Sequence, residues 1–182
     1  PRQPSPTAGI SPEDVARVEK AIGTSGLALF LTGASEPLVG GSGTYEYADY
    51  LRDTWGLDVQ FRQLVIAFMP LPDNPELYVP RRPPFIVATG DRSLGLRLGD
   101  QPITEPLAGS TVGLIGVCPI LETEKAPEGV TRAVLLRLAD TKDVWAVNDL
   151  MTLQTDLRAN RGTEPAKDDR LPPFPVAVAA EH

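Results

Sequence analysis

The sequence predicts one α/β domain of three layers, a largely parallel or mixed sheet flanked by helices. Three observations lead there. The chain has 182 residues with 42% hydrophobic and 23% charged side chains, the size and balance of one globular domain, which excludes disorder and a pure coiled coil. Helical and strand-like spacings alternate between residues 11 and 68, the order of a layered α/β fold. Short apolar runs without alternation read as strands buried on both faces, as in a parallel sheet.

Taken in order, Ser11-Pro12-Glu13-Asp14 opens a helix: Ser11 caps, Pro12 suits the first helical position, and Asp14 returns a bond to the cap. Val15, Val18 and Ile22 mark its apolar face and Gly23 ends it. Residues 26–33, GLALFLTG, then predict a buried strand. Residues 44–55 return to helical spacing, with Tyr47, Tyr50, Leu51 and Thr54 on one side, Asp49, Arg52 and Asp53 on the other, and Gly56 as the stop. A strand over 58–68 follows. The second half is richer in strands, at 85–89, 94–98, 112–121, 130–139 and 174–180, so a mixed sheet is expected there.

Prolines number 19, about twice the usual share. Fourteen of them crowd into residues 1–12, 70–84 and 165–175. Each removes a backbone donor, so 70–84 and the polar stretch 160–173 are expected to be loops within a single domain spanning 1–182. The N-terminus lacks the basic and apolar regions of a signal peptide, and no apolar run reaches membrane-spanning length. The chain starts with Pro1 instead of Met, and we expect it to be cut from a longer protein.

Composition narrows the chemistry. The net charge of −7, with no basic stripe, disfavours nucleic acid as a partner. There is one cysteine, and the one histidine is the final residue, His182, which removes most His- or Cys-dependent catalysis. Val39-Gly40-Gly41-Ser42-Gly43-Thr44 opens a helix as phosphate loops do, but it lacks the Walker lysine and the third glycine of a dinucleotide loop. Helix capping by Ser42 or Thr44 explains it better. Gly116-Val117-Cys118-Pro119-Ile120 is a partial match to a nucleophile elbow. Cys118 has only a terminal histidine as base, and Pro119 follows it where an elbow needs a backbone N–H, so a buried, inert cysteine in a strand is expected. The acids pair as Glu122 and Glu124, Asp140 and Asp143, and Asp168 and Asp169, without calcium-loop spacing and without a His or Cys to complete a transition-metal set. No catalytic, metal or cofactor residue is assigned. Tyr45, Tyr47, Tyr50 and Trp55 gather on or beside one helix, where packing accounts for Tyr47 and Tyr50 and leaves Tyr45 as a contact residue.

Several phrases, in order, resemble one family. They are ISPEDVARVEK (10–20), GLALFL (26–31), YADYLRDTWGLDV (47–59), DQPITEPLAG (100–109), CPIL (118–121), AVLLRLAD (133–140), DVWA (143–146) and PFPVAVAAE (173–181). Together they resemble the extracytoplasmic domain of auxiliary proteins of ABC transporters, the gliding-motility-associated type. The chain departs in having Gln101 where the family shows His, and Ser25-Gly26 where it shows Gly-Gly. The resemblance implies a flavodoxin-like or class I amidotransferase-like fold without catalytic residues. It further implies a membrane-anchored parent on the periplasmic face of the bacterial inner membrane, with transporter membrane and ATPase subunits as partners. It places a missing first strand outside the chain, leaving a sheet edge on which a homodimer would pair.

The expected function is therefore non-catalytic binding through loops at the sheet's carboxyl edge, residues 33–44 and 89–101. Gly41, Ser42, Gly43, Thr44, Tyr45 and Asp100 are the candidate contact residues. Two rivals stand beside it. A hydrolase or transferase using Asp or Glu on a flavodoxin-like sheet requires acids converging in a cleft. A spacer or oligomerisation module requires a flat apolar patch.

Overall fold

The computed structural model describes residues 12–25, 46–80, 85–89 and 95–182. Its elements in chain order are helices α1 (Pro12–Ser25) and α2 (Glu46–Trp55) and strands β1 (Leu57–Val59), β2 (Leu64–Leu71), β3 (Asn74–Pro80), β4 (Phe85–Thr89) and β5 (Leu96–Leu98). After a single 3-10 turn (Glu105–Leu107) come β6 (Thr111–Ile115), β7 (Ile120–Glu122), β8 (Thr131–Leu138), β9 (Val144–Val147), helix α3 (Leu150–Arg158) and β10 (Phe174–Glu181).

The expected parallel, flavodoxin-like sheet is not what these strands form. Among the described residues every strand pairing is antiparallel, in four small sheets ordered β1-β7, β10-β8-β5, β3-β2-β9 and β4-β6. Parallel neighbours need a crossover of a dozen or more residues, usually helical. Here β2 turns straight back into β3 around Pro72 and Asp73, and the residues between β7 and β8 contain no helix.

The run 26–33, expected as a strand buried on both faces, lies outside the described residues, and where burial on both faces is seen it has another cause. Strand β2 is buried on both faces because it sits in the middle layer. Its Val65 and Ala67, with Val144 and Ala146 of β9, pack against Leu96, Leu136, Leu138, Phe174 and Val176 of the β10-β8-β5 sheet. Its Ile66 and Phe68, with Trp145 and Val147 of β9, pack under Leu153 of α3. Two sheets and a helix thus form three layers. Phe68 stacks on Trp145 with ring centroids 3.6 Å apart and planes 4° from parallel, and Tyr78 meets the indole edge-on at 6.2 Å. A third cluster sets Leu51 of α2 on Leu57, Val59 and Ile120 of β1 and β7, with Phe61 and Cys118.

Two strands expected to be continuous are broken. The 58–68 run divides into β1 and β2 at a turn in which Phe61 and Gln63 are buried. The 112–121 run divides into β6 and β7 at Gly116, whose φ of +65° turns the chain, and at Pro119. The proline-rich 70–84 stretch, expected as a loop, carries the end of β2 and all of β3. Pro75 and Pro80 are tolerated because β3 is an edge strand. Helix α3 has no counterpart in the expected elements. Its start is written in Asp149, whose carboxylate accepts from the N–H groups of Met151 at 2.9 Å and Thr152 at 3.0 Å.

The polar stretch 160–173 has a positive role. Its Thr163 bridges to Tyr78 of β3 and its Arg170 to Ala146 of β9, so one segment covers both outer edges of the β3-β2-β9 sheet. The crossing is close: a Cβ at Gly162 would run into the Leu77 side chain. Covered edges do not recruit further strands.

Candidate functional site

Of the six candidate contact residues, Gly41, Ser42, Gly43, Thr44 and Tyr45 lie outside the described residues. Asp100 is described, and it stands exposed at the entry of a turn running from Gly99 to Ser110. Gly99 is required there by close approach, because a Cβ would strike the carbonyl of Val134 on β8; its own N–H donates to the Leu135 carbonyl at 2.8 Å.

Beyond Asp100 the chain folds on its own hydrogen bonds. Thr104, 4% exposed, sits at the centre. Its hydroxyl lies 2.6 Å from the Gly99 carbonyl and 2.8 Å from the Gln101 carbonyl, one proton shared between two acceptors. The Thr104 N–H donates to the Gln101 carbonyl at 2.9 Å, that of Leu107 to Thr104 at 2.9 Å, and that of Ser110 to Leu107 at 3.0 Å. This frame turns apolar side chains outward: Ile103 is 66% exposed and Leu107 38%, with Pro102 and Pro106 exposed beside them. The other exposed large apolar residues among those described, Met69, Met151 and Leu171, stand on β2, α3 and the loop before β10. Single exposed residues of that kind are ordinary, whereas four apolar residues within six positions form a patch. The Pro-Ile-Thr-Glu-Pro-Leu run was available to sequence reading, but its outward display depends on Thr104 pointing in.

The remaining candidates do not converge. Cys118 is 2% exposed, outside any disulfide and packed against Leu51, Phe61 and Ile120; it lies between β6 and β7 and not within a strand. His182 lies over Gly129, where a Cβ would come within 3.0 Å of its ring. No described Asp or Glu is buried. Glu122 stands 3.6 Å from Arg132. Asp169 accepts from the Asn148 N–H at 2.9 Å and the Ala166 N–H at 3.0 Å, tying the 160–173 stretch to the end of β9. Among the described residues no group of His, Cys, Asp and Glu has metal-binding geometry. Tyr50 and Trp55 of the aromatic group are half-buried against the third core cluster, so packing accounts for them.

Two shifted groups are both local to helices. Hydrogen bonds to Asp53 and then Asp49 raise the Arg52 guanidinium above its ordinary value. The hydroxyl and then the N–H of Thr152, followed by the Met151 N–H, hold the Asp149 carboxyl below its ordinary value. Both shifts come from hydrogen bonds within a helix or at its cap, and Arg52 also borders a cavity. A shallow basin of about 490 Å³ lies between the end of α2 and the loop after β7, lined by Arg52, Asp53, Thr123, Lys125, Pro127 and Glu128. Its charges are of mixed sign, and its rim is held by Arg132, which donates to the Gly56 carbonyl at 2.6 Å and the Thr123 carbonyl at 3.1 Å. That guanidinium is spent on structure.

What the described surface offers is thus a stiff turn with apolar side chains held in water, a form suited to docking. No family model, curated protein or solved structure matches the chain.

Proposed function

We propose that this chain is a non-catalytic interaction domain, part of a membrane-anchored protein that accompanies an ABC transporter and acting on the extracytoplasmic side. The ordered phrases from residue 10 to residue 181 supply the transporter association. The geometry contributes one observation above the others, the 99–110 turn. Side chains that bind must usually be ordered first, at a cost of about 0.5–1.5 kcal/mol each. Here Thr104 and the turn's own hydrogen bonds have already fixed the backbone beneath Ile103 and Leu107. Apolar side chains that leave water on docking supply a driving force for association. Among the described residues no Asp or Glu is buried.

The test is co-purification of the full parent protein with the permease and ATPase subunits of its transporter, expressed together. Deletion of residues 12–182, and separately the double change Ile103→Asp and Leu107→Asp, should release the subunits. A parent that keeps them without this domain would show that the domain does not mediate the association.

A further inference from the structure

Antiparallel pairing of β5 with β8 sets Arg97 directly opposite Arg137. The pairs on either side, Leu96 with Leu138 and Leu98 with Leu136, belong to the core layer. By the two-residue period of a strand, the arginines share the opposite face, and both are exposed there. Like charges directly opposite each other destabilise an antiparallel pair. The chain has more acids than bases, 24 against 17, yet neither guanidinium makes an ion pair or hydrogen bond among the described residues. On the other side of β8 the residue opposite Arg137 is Pro175, which carries no charge.

We infer that Arg97 and Arg137 are a binding site for a carboxylate-bearing segment of a partner protein, one guanidinium from each strand. The inference deepens the interaction-domain reading by naming the partner's chemistry, and the site begins two residues before the apolar turn. A guanidinium fork matches a carboxylate in two parallel hydrogen bonds, and an anion placed between the arginines removes the repulsion that the free chain carries. A free phosphate is small enough to meet little beyond the two guanidinium groups themselves. An anionic membrane is repelled by the chain's net charge of −7. An acidic protein segment meets the same net charge, but over its own few carboxylates only, and its neighbouring residues supply contacts beyond the two arginines that a phosphate lacks.

The test uses Arg97→Thr and Arg137→Thr, because threonine suits an exposed strand position. Relief of the repulsion should raise the thermal midpoint of the free chain by about 1–3 °C in each variant. A hexaglutamate peptide at low salt should raise the midpoint of the unsubstituted chain and leave both variants unmoved. In the co-purified transporter complex, Arg137→Glu should weaken association about tenfold. The inference is overturned if the threonine variants are less stable, if they respond to hexaglutamate as the parent chain does, or if Arg137→Glu retains the transporter. It is overturned equally if inorganic phosphate gives the same shift as the peptide, or if phosphatidylglycerol vesicles bind through the two arginines. A hexaglutamate response that depends on both arginines, in a parent that never binds the transporter, would support the site and sink the transporter reading alone.

Discussion

Replacing Arg132 by Met should remove a part-buried polar tie between three elements of the described structure. The side chain is only 10% exposed and holds three elements together. One Nη donates to the Gly56 carbonyl at 2.6 Å and lies 3.2 Å from the Thr123 hydroxyl; the other donates to the Thr123 carbonyl at 3.1 Å. Gly56 closes α2, so the guanidinium also sits at the negative end of that helix. Hydrogen bonds from a charged donor are worth about 1.5–3 kcal/mol each and are not additive; removing this one side chain should cost about 3 kcal/mol. The competing account credits the ion pair with Glu122. That pair is 3.6 Å long with the carboxylate 37% exposed, which limits it to about 0.5 kcal/mol. With a urea slope of about 2 kcal/mol per molar, Arg132→Met should lower the unfolding midpoint by about 1.5 M and Glu122→Gln by at most about 0.25 M. Urea unfolding followed by tryptophan fluorescence measures both. A loss below about 0.5 kcal/mol for Arg132→Met, or equal losses for the two variants, would refute the assignment of stability to the carbonyl contacts.

Four other outcomes are expected. The hydrogen bonds at Asp149 lower its carboxyl pKa in the folded chain, so its contribution is present above the ordinary aspartate value and is lost as pH falls through the folded one; urea midpoints of the parent and Asp149→Ala should differ at neutral pH and converge as acid protonates the folded carboxylate. Gly56→Ala should destabilise by about 2–4 kcal/mol, since φ is +67° and a Cβ would lie 2.8 Å from Arg132, Pro127 and Thr123 atoms; calorimetry showing no loss would contradict that crowding. Thr104→Val keeps the side chain's volume but leaves the Gly99 and Gln101 carbonyls without its hydroxyl, at about 1–3 kcal/mol, and should speed hydrogen exchange at the Thr104 and Leu107 amides. Cys118, being 2% exposed, should react with a thiol reagent no faster than the chain opens, and rapid labelling of the folded chain would contradict its place in the core.

Local signals in the sequence translated well where one residue does one job. Pro12 stands at the start of α1, Gly56 stops α2, and the apolar runs at 85–89, 130–139 and 174–180 are strands close to those bounds. The failure lay in the direction of pairing. The run expected as a strand buried on both faces, residues 26–33, lies outside the described residues, whereas Val65 to Phe68 and Val144 to Val147, the second without a counterpart among the expected strands, are buried on both faces. Here a second sheet covers one face and α3 the other, and hydrophobic periodicity cannot distinguish the two coverings. The contact surface was legible only in part. Asp100 marks the entry to the turn, but Ile103 and Leu107 read as ordinary apolar residues until Thr104 is seen to be buried beneath them. Arg97 and Arg137 are 40 residues apart, and no local pattern brings them together before the β5–β8 register is known.

Isothermal titration of the transporter's membrane complex, held in nanodiscs, with this chain at two temperatures tests the central claim most directly. The account predicts saturable binding with a negative heat-capacity change, because Ile103 and Leu107 leave water on docking, and predicts that the Ile103→Asp and Leu107→Asp double variant produces no heat. Binding that is absent, or unchanged in that variant, would contradict it.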